Sequence, residues 1–299
     1  MRTVKIFNLN LMLVRLSPSV LAGARDVTSD TLLAPLKGGI VGATSPQNVT
    51  HLSLKERRQK HFLSQERIII AALYVLLLAG GLWHVLGVFQ TAMRILATPM
   101  IVGICLLVCY EYLKTQGSPM RVNEGEQSER KAGERCSRNR QFILWSVAVI
   151  FCGFFIELIG VKSGVIFGSY VYGNTLQPQF WNVPLAIGFA WLSILLGATA
   201  VAQRILPAFR RMRPLFLSAI IALLMALFDA FMEPAAMKLG YWHWSDGEIP
   251  FRNFIAWFVF GLMLAFGAAR WRAITPPAST ISLHAYLAQL GYLIIVHLA

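Results

Sequence analysis

Long apolar segments alternate with short polar gaps along most of this chain. Continuous apolar runs occupy Ile68–Phe89, Ala97–Leu113, Phe142–Val161, Val183–Ala202, Pro214–Phe231, Phe254–Ala269 and Ile281–Leu298. A helix needs ~20 mainly apolar residues to cross a bilayer, so the pattern predicts an all-α polytopic membrane bundle of about seven transmembrane helices. The second and sixth runs are the shortest. A transmembrane barrel would instead alternate residue by residue over ~10-residue segments, which these runs do not.

Composition agrees with a lipid bilayer as the solvent. The 299 residues are 56% hydrophobic and 14% charged, with a mean hydropathy of +0.58. The net charge of +13 would suit a nucleic-acid partner, but its placement excludes that reading. Basic residues gather in alternate gaps: Lys55 to Arg67, Lys114 to Arg140, Arg204 to Arg213, then Arg270 and Arg272. The intervening gaps hold few. Positively charged loops stay on the cytoplasmic side, so the pattern predicts a cytoplasmic N-terminus and an external C-terminus, with the bacterial inner membrane as the location.

Residues 1–67 read as a poorly structured cytoplasmic N-terminal region and residues 68–299 as the transmembrane domain. A cleaved signal and a start codon assigned too far upstream both fit residues 1–53, which carry no candidate site. A cytoplasmic loop is expected at 114–141, where Thr115–Asn139 is polar and mixed in charge. Cys105, Cys109, Cys136 and Cys152 give no disulfide framework, and no CxxC or HExxH spacing points to a metal.

Against this background three acids stand out: Glu157 in FFIELIG, Asp229 in LLMALFDAF and Glu233 in FMEP. A charge at the bilayer centre costs ~2.5–3.5 kcal/mol on insertion scales, so each needs a partner, a proton or a function. Asp229 and Glu233 are four residues apart and share a helix face, an arrangement that can hold one proton between two carboxyl groups. Two plainer readings stand beside this one: Glu233 marks the aqueous interface, or Glu157 makes a structural hydrogen bond to a neighbouring helix. With the predicted orientation, all three acids fall in the outer half of the bilayer. So do Tyr170, Tyr172, Trp242, Trp244, Asn253, Asn182 and His84. The tyrosines and tryptophans, with Trp181 and Trp257, are either an interfacial belt or aromatic faces that stabilise a cation. Gly160, Gly164 and Gly168 would allow a close helix contact if the third helix runs that far.

The run Glu157-Leu-Ile-Gly160-Val-Lys-Ser-Gly164-Val-Ile-Phe167-Gly168-Ser-Tyr170-Val-Tyr172 resembles the carotenoid biosynthesis membrane family. That family includes carotenoid 1,2-hydratases of the CruF type and hydratases of the bacterioruberin pathway. The resemblance extends to Asn182-Val-Pro184 with Trp191, Asp229-Ala-Phe-Met-Glu233-Pro234, Trp242-His-Trp244, and Ile249-Pro250-Phe-Arg-Asn253 with Trp257. It covers roughly Leu144–Trp271. Glu233 stands where a second aspartate is expected, and Glu248 where a small residue is.

The resemblance implies hydration of the terminal double bond of a linear carotenoid, lycopene or γ-carotene-like, to a tertiary alcohol, with no cofactor and no metal. For that chemistry the residues suggest Asp229 or Glu157 as the acid, Glu233 as the group that positions water, and Trp242, Tyr170 and Tyr172 as stabilisers of the cation. Tyr170, Tyr172, Trp242, Trp244, Asn253 and Trp257 would bind the substrate. A carotenoid end-group cyclase and a non-enzymatic membrane carrier or transporter are the alternatives.

Overall fold

In the computed structural model, residues 54–115, 127–206, 211–274 and 279–299 are described. The expectations for residues 1–53 lie outside them. Among the described residues, seven helices are long and apolar enough to cross a membrane: α1 (Leu54–Val85), α2 (Gln90–Thr115), α3 (Gln127–Ser163), α4 (Ala186–Ile205), α5 (Pro214–Lys238), α6 (Phe251–Arg270) and α7 (Thr280–Leu298). The protein is an all-α polytopic membrane bundle.

Helix boundaries follow local chemistry. Pro214 opens α5, where its missing N–H is one that the first turn leaves unpaired anyway. The Ser279 hydroxyl caps α7 by accepting from the Ile281 amide at 3.2 Å. Two boundaries depart from the sequence reading. The first helix starts at Leu54, so residues 54–67 are helical rather than part of an unstructured region; likewise α3 starts at Gln127 and takes up residues 127–141 of the expected loop. Apolar runs locate membrane crossings, but a helix continues past them wherever Glu, Lys, Arg and Gln dominate and proline is absent.

The fourth helix is the central one. It packs against α2, α3, α5 and α7, and 78% of its spanning window is buried. Its approach to α3 depends on missing side chains. A Cβ at Gly188 would strike the Ile150 carbonyl oxygen, and one at Gly153 would come within 2.9 Å of the Trp191 side chain. Such contacts are how helices associate in lipid, where no hydrophobic force drives them together.

Four short strands join these helices: β1 (Tyr170–Tyr172), β2 (Gln179–Phe180), β3 (Val183–Pro184) and β4 (Trp242–Trp244). The strands β2 and β3 pair with each other, and β1 pairs antiparallel with β4, matching Tyr170 to Trp244 and Tyr172 to Trp242. Side chains alternate across a strand, so these four rings share one face of the ribbon, while Val171 and His243 point to the other and are exposed. The connection after α3 is thereby stitched to the connection after α5.

The glycines near the end of α3 serve this turn instead of a helix–helix contact. The helix stops at Ser163, and Gly164 and Gly168 take φ of +62° and +131°, values that favour residues without a Cβ. At Gly160 a Cβ would lie 2.5 Å from the Phe167 ring, so its absence lets that ring fold back onto the helix.

Candidate active site

The helix spacing of Asp229 and Glu233 and the alternation of the ribbon converge on one buried cluster. Glu233 is 3% exposed and Asp229 0%. The Glu233 Oε2 accepts from the indole N–H of Trp242 at 2.8 Å and of Trp244 at 2.9 Å. Asn253, in the first turn of α6, donates from one amide nitrogen to Asp229 Oδ2 at 2.7 Å and to Glu233 Oε1 at 3.2 Å. The sequence reading offered the tryptophans as faces for a cation; the structure also uses their edges, as donors to a carboxylate.

Glu157 is served in the same way from the other strand of the ribbon. Its Oε2 accepts from the hydroxyls of Tyr170 and, at 2.9 Å, Tyr172. Its Oε1 accepts from the Trp191 indole at 3.1 Å. Trp191, one of the residues that carry the family resemblance, had no assigned role in the sequence. Trp257 lies flat against it, with ring centroids 3.9 Å apart and planes 10° from parallel. Burial, followed by the adjacent Glu157 charge, pushes both tyrosine hydroxyls well above the usual phenol range, so they keep their protons.

The rings also join the two carboxyl groups. Tyr170 packs on Trp244 with centroids 5.0 Å apart, and Tyr172 meets Trp242 edge-on at 5.9 Å. Every donor to the three acids is neutral. Such pre-aimed N–H and O–H groups stabilise a buried carboxylate without a counter-ion. Not all that the sequence grouped in this layer arrives. His84 makes no hydrogen bond to these acids and its Nδ1 is buried without a partner. Trp181 is 58% exposed on the β2–β3 turn, where it and Asn182 take positive φ.

A cavity of about 210 Å³ opens against this cluster. Glu157, Glu233, Tyr170, Tyr172, Trp242 and Trp244 line it, as do Asn253, Trp191 and Trp257, and most of its remaining wall is aliphatic. Asp229 does not line it. That acid sits behind Asn253, with its second oxygen, Oδ1, buried and unpartnered. Asp229 is thus set back from the cavity wall, which Glu157 and Glu233 reach.

Residues 130–299, more than half the chain, match the family described as carotenoid biosynthesis protein. The chain belongs to that family. Among curated proteins, bisanhydrobacterioruberin hydratase of Haloarcula japonica is 26% identical over 132 residues, 42% of this chain and 45% of that protein. The chain thus spans about half the length of this relative. No solved structure matches. The family match takes in α3 to α7 and every residue that holds a carboxyl group in place, whereas α1 and α2 fall outside it.

Proposed function

We propose that this family member hydrates the terminal double bond of a linear carotenoid end group. The observation that carries the reading is a pair of carboxyl groups, Glu157 and Glu233, at the wall of an apolar cavity, each held by neutral donors and joined by aromatic rings. The relative named as a hydratase supports it.

Protonating a trisubstituted alkene places a positive charge on its tertiary carbon, so the site needs an acid, a cation-tolerant lining and a placed water. Glu233 gives the proton to the less substituted alkene carbon. The carboxylate left behind is stabilised by Trp242, Trp244 and Asn253, which already point at it. The faces of the tyrosines and tryptophans stabilise the cation. Water held by Glu157 attacks the cation through its oxygen, forming the C–O bond, and passes a proton to Glu157. The sum is one water added per alkene, with the proton returning to Glu233 between turnovers. Asp229 acts through Asn253 as a positioning residue.

Expression in a lycopene-producing bacterium, with pigment mass as the readout, tests the reading. A pigment one water heavier supports it. An isomeric pigment of unchanged mass with a new ring supports a cyclase, and bound but unaltered pigment supports a carrier.

A further inference from the structure

The elements that hold the carboxyl groups build only part of the cavity. The rest of its lining comes from α7, through Gln289 and Tyr292, and from a wall made by Leu76, Gly80 and Trp83 of α1 and Met93, Leu96 and Met100 of α2. Leu76 and Leu96 line the cavity and are also 56% and 49% exposed, more than side chains sealed inside the bundle would be. Residues that face both ways mark a mouth. The helix packing locates it: α1 leans on α7 and α2 on α4 and α7, whereas these two consecutive helices meet each other at few positions. The flanking surface, Val75 and Ile95 at 67% and 70% exposure, is apolar, as a surface covered by lipid tails should be.

Size gives the second argument. Pockets that enclose a drug-sized ligand run to ~300–1,000 Å³, and this cavity has about 210 Å³. A long linear polyene exceeds such a ligand and cannot be enclosed here. One end group can be.

We infer that the seam between α1 and α2 is a second binding subsite, which holds the polyene chain behind the reacting end group. The end group enters from the bilayer and meets Glu157 and Glu233. The remainder of the molecule runs out between the two helices into the hydrocarbon, so neither has to leave an apolar medium. The inference takes the kind of substrate from the proposed hydration and adds where most of that substrate lies. The seam residues carry no charge, and they distinguish substrates by the shape of the chain beyond the end group. Because α1 and α2 lie outside the family match, relatives can vary this wall while keeping the same carboxyl groups.

The test places a photoactivatable diazirine amino acid of leucine size, one at a time, at Leu76, Leu96 and the control position Leu223. Leu223 is 61% exposed on α5 and does not line the cavity. The full-length protein is irradiated in membranes containing lycopene, and adducts on the membrane-inserted fraction are read by mass spectrometry. Lycopene adducts several-fold more abundant at positions 76 and 96 than at 223 are expected. Equal yields at all three positions, or none at 76 and 96, overturn the subsite. The readout does not depend on turnover. Adducts at the seam without hydrated pigment uphold the subsite and remove the hydration reading; hydrated pigment without seam adducts does the reverse.

Discussion

The two walls of the cavity are built on opposite principles. On the wall from α3 to α6, both carboxyl groups that reach the cavity are held by named donors: Glu157 by two hydroxyls and an indole, Glu233 by two indoles and an amide. On the wall from α1 and α2 the contacts are aliphatic or aromatic and partly open to lipid. A reacting group gains from being fixed before the substrate arrives, while a surface that admits a long apolar chain must stay accessible. The family match follows the same division, covering the first wall and leaving out the second.

Substitutions on the first wall should therefore cost far more than substitutions on the second. The largest effect is expected at the two carboxyl groups proposed to touch substrate. Glu233→Gln and Glu157→Gln keep volume but lose the proton chemistry, and each should lower hydration by ~10²–10⁴-fold. Pigment mass at matched levels of inserted protein checks this.

Next comes Trp191→Phe, which keeps a ring against Trp257 but removes a donor to Glu157. A hydrogen bond to a charged group contributes ~1.5–3 kcal/mol, so turnover should drop by roughly one to two orders of magnitude. Asp229→Asn acts one step further back, through Asn253. It should lower kcat with little change in KM, because Asp229 does not line the cavity. An equal loss at Asp229 and at a cavity carboxylate would show that Asp229 reaches the substrate after all.

The second wall gives the smallest effect. Leu96→Ala should change the preference between carotenoids by about tenfold, the range of one apolar contact in a pocket. A separate check concerns orientation: a reporter fused after Ala299 should be active outside the cytoplasm, and activity only in the cytoplasm would reverse the assignment made from the basic gaps.

The membrane crossings were legible because a span announces itself by length and composition alone. So was the shared face of Asp229 and Glu233, since four residues make about one helix turn. The β1–β4 ribbon was not. Three-residue strands far apart in sequence leave no periodic signal, yet their pairing is what brings Tyr170 and Tyr172 against Trp242 and Trp244. Trp191 escaped for another reason: α4 is buried on nearly every side, so its apolar pattern does not single out the side chain that turns toward Glu157. The part played by α1 and α2 was hidden because an aliphatic residue lining a cavity reads the same as one facing lipid.

The central claim is that Glu233 and Glu157 together add water to an alkene. The most direct measurement is the mass of pigment formed from lycopene in membranes supplied with oxygen-labelled water, comparing the wild type with Glu233→Gln at equal protein level. The account predicts a labelled alcohol, one water heavier than lycopene, from the wild type and almost none from the variant. A labelled alcohol formed at wild-type rates by Glu233→Gln, or lycopene bound and recovered unchanged from the wild type, would contradict it.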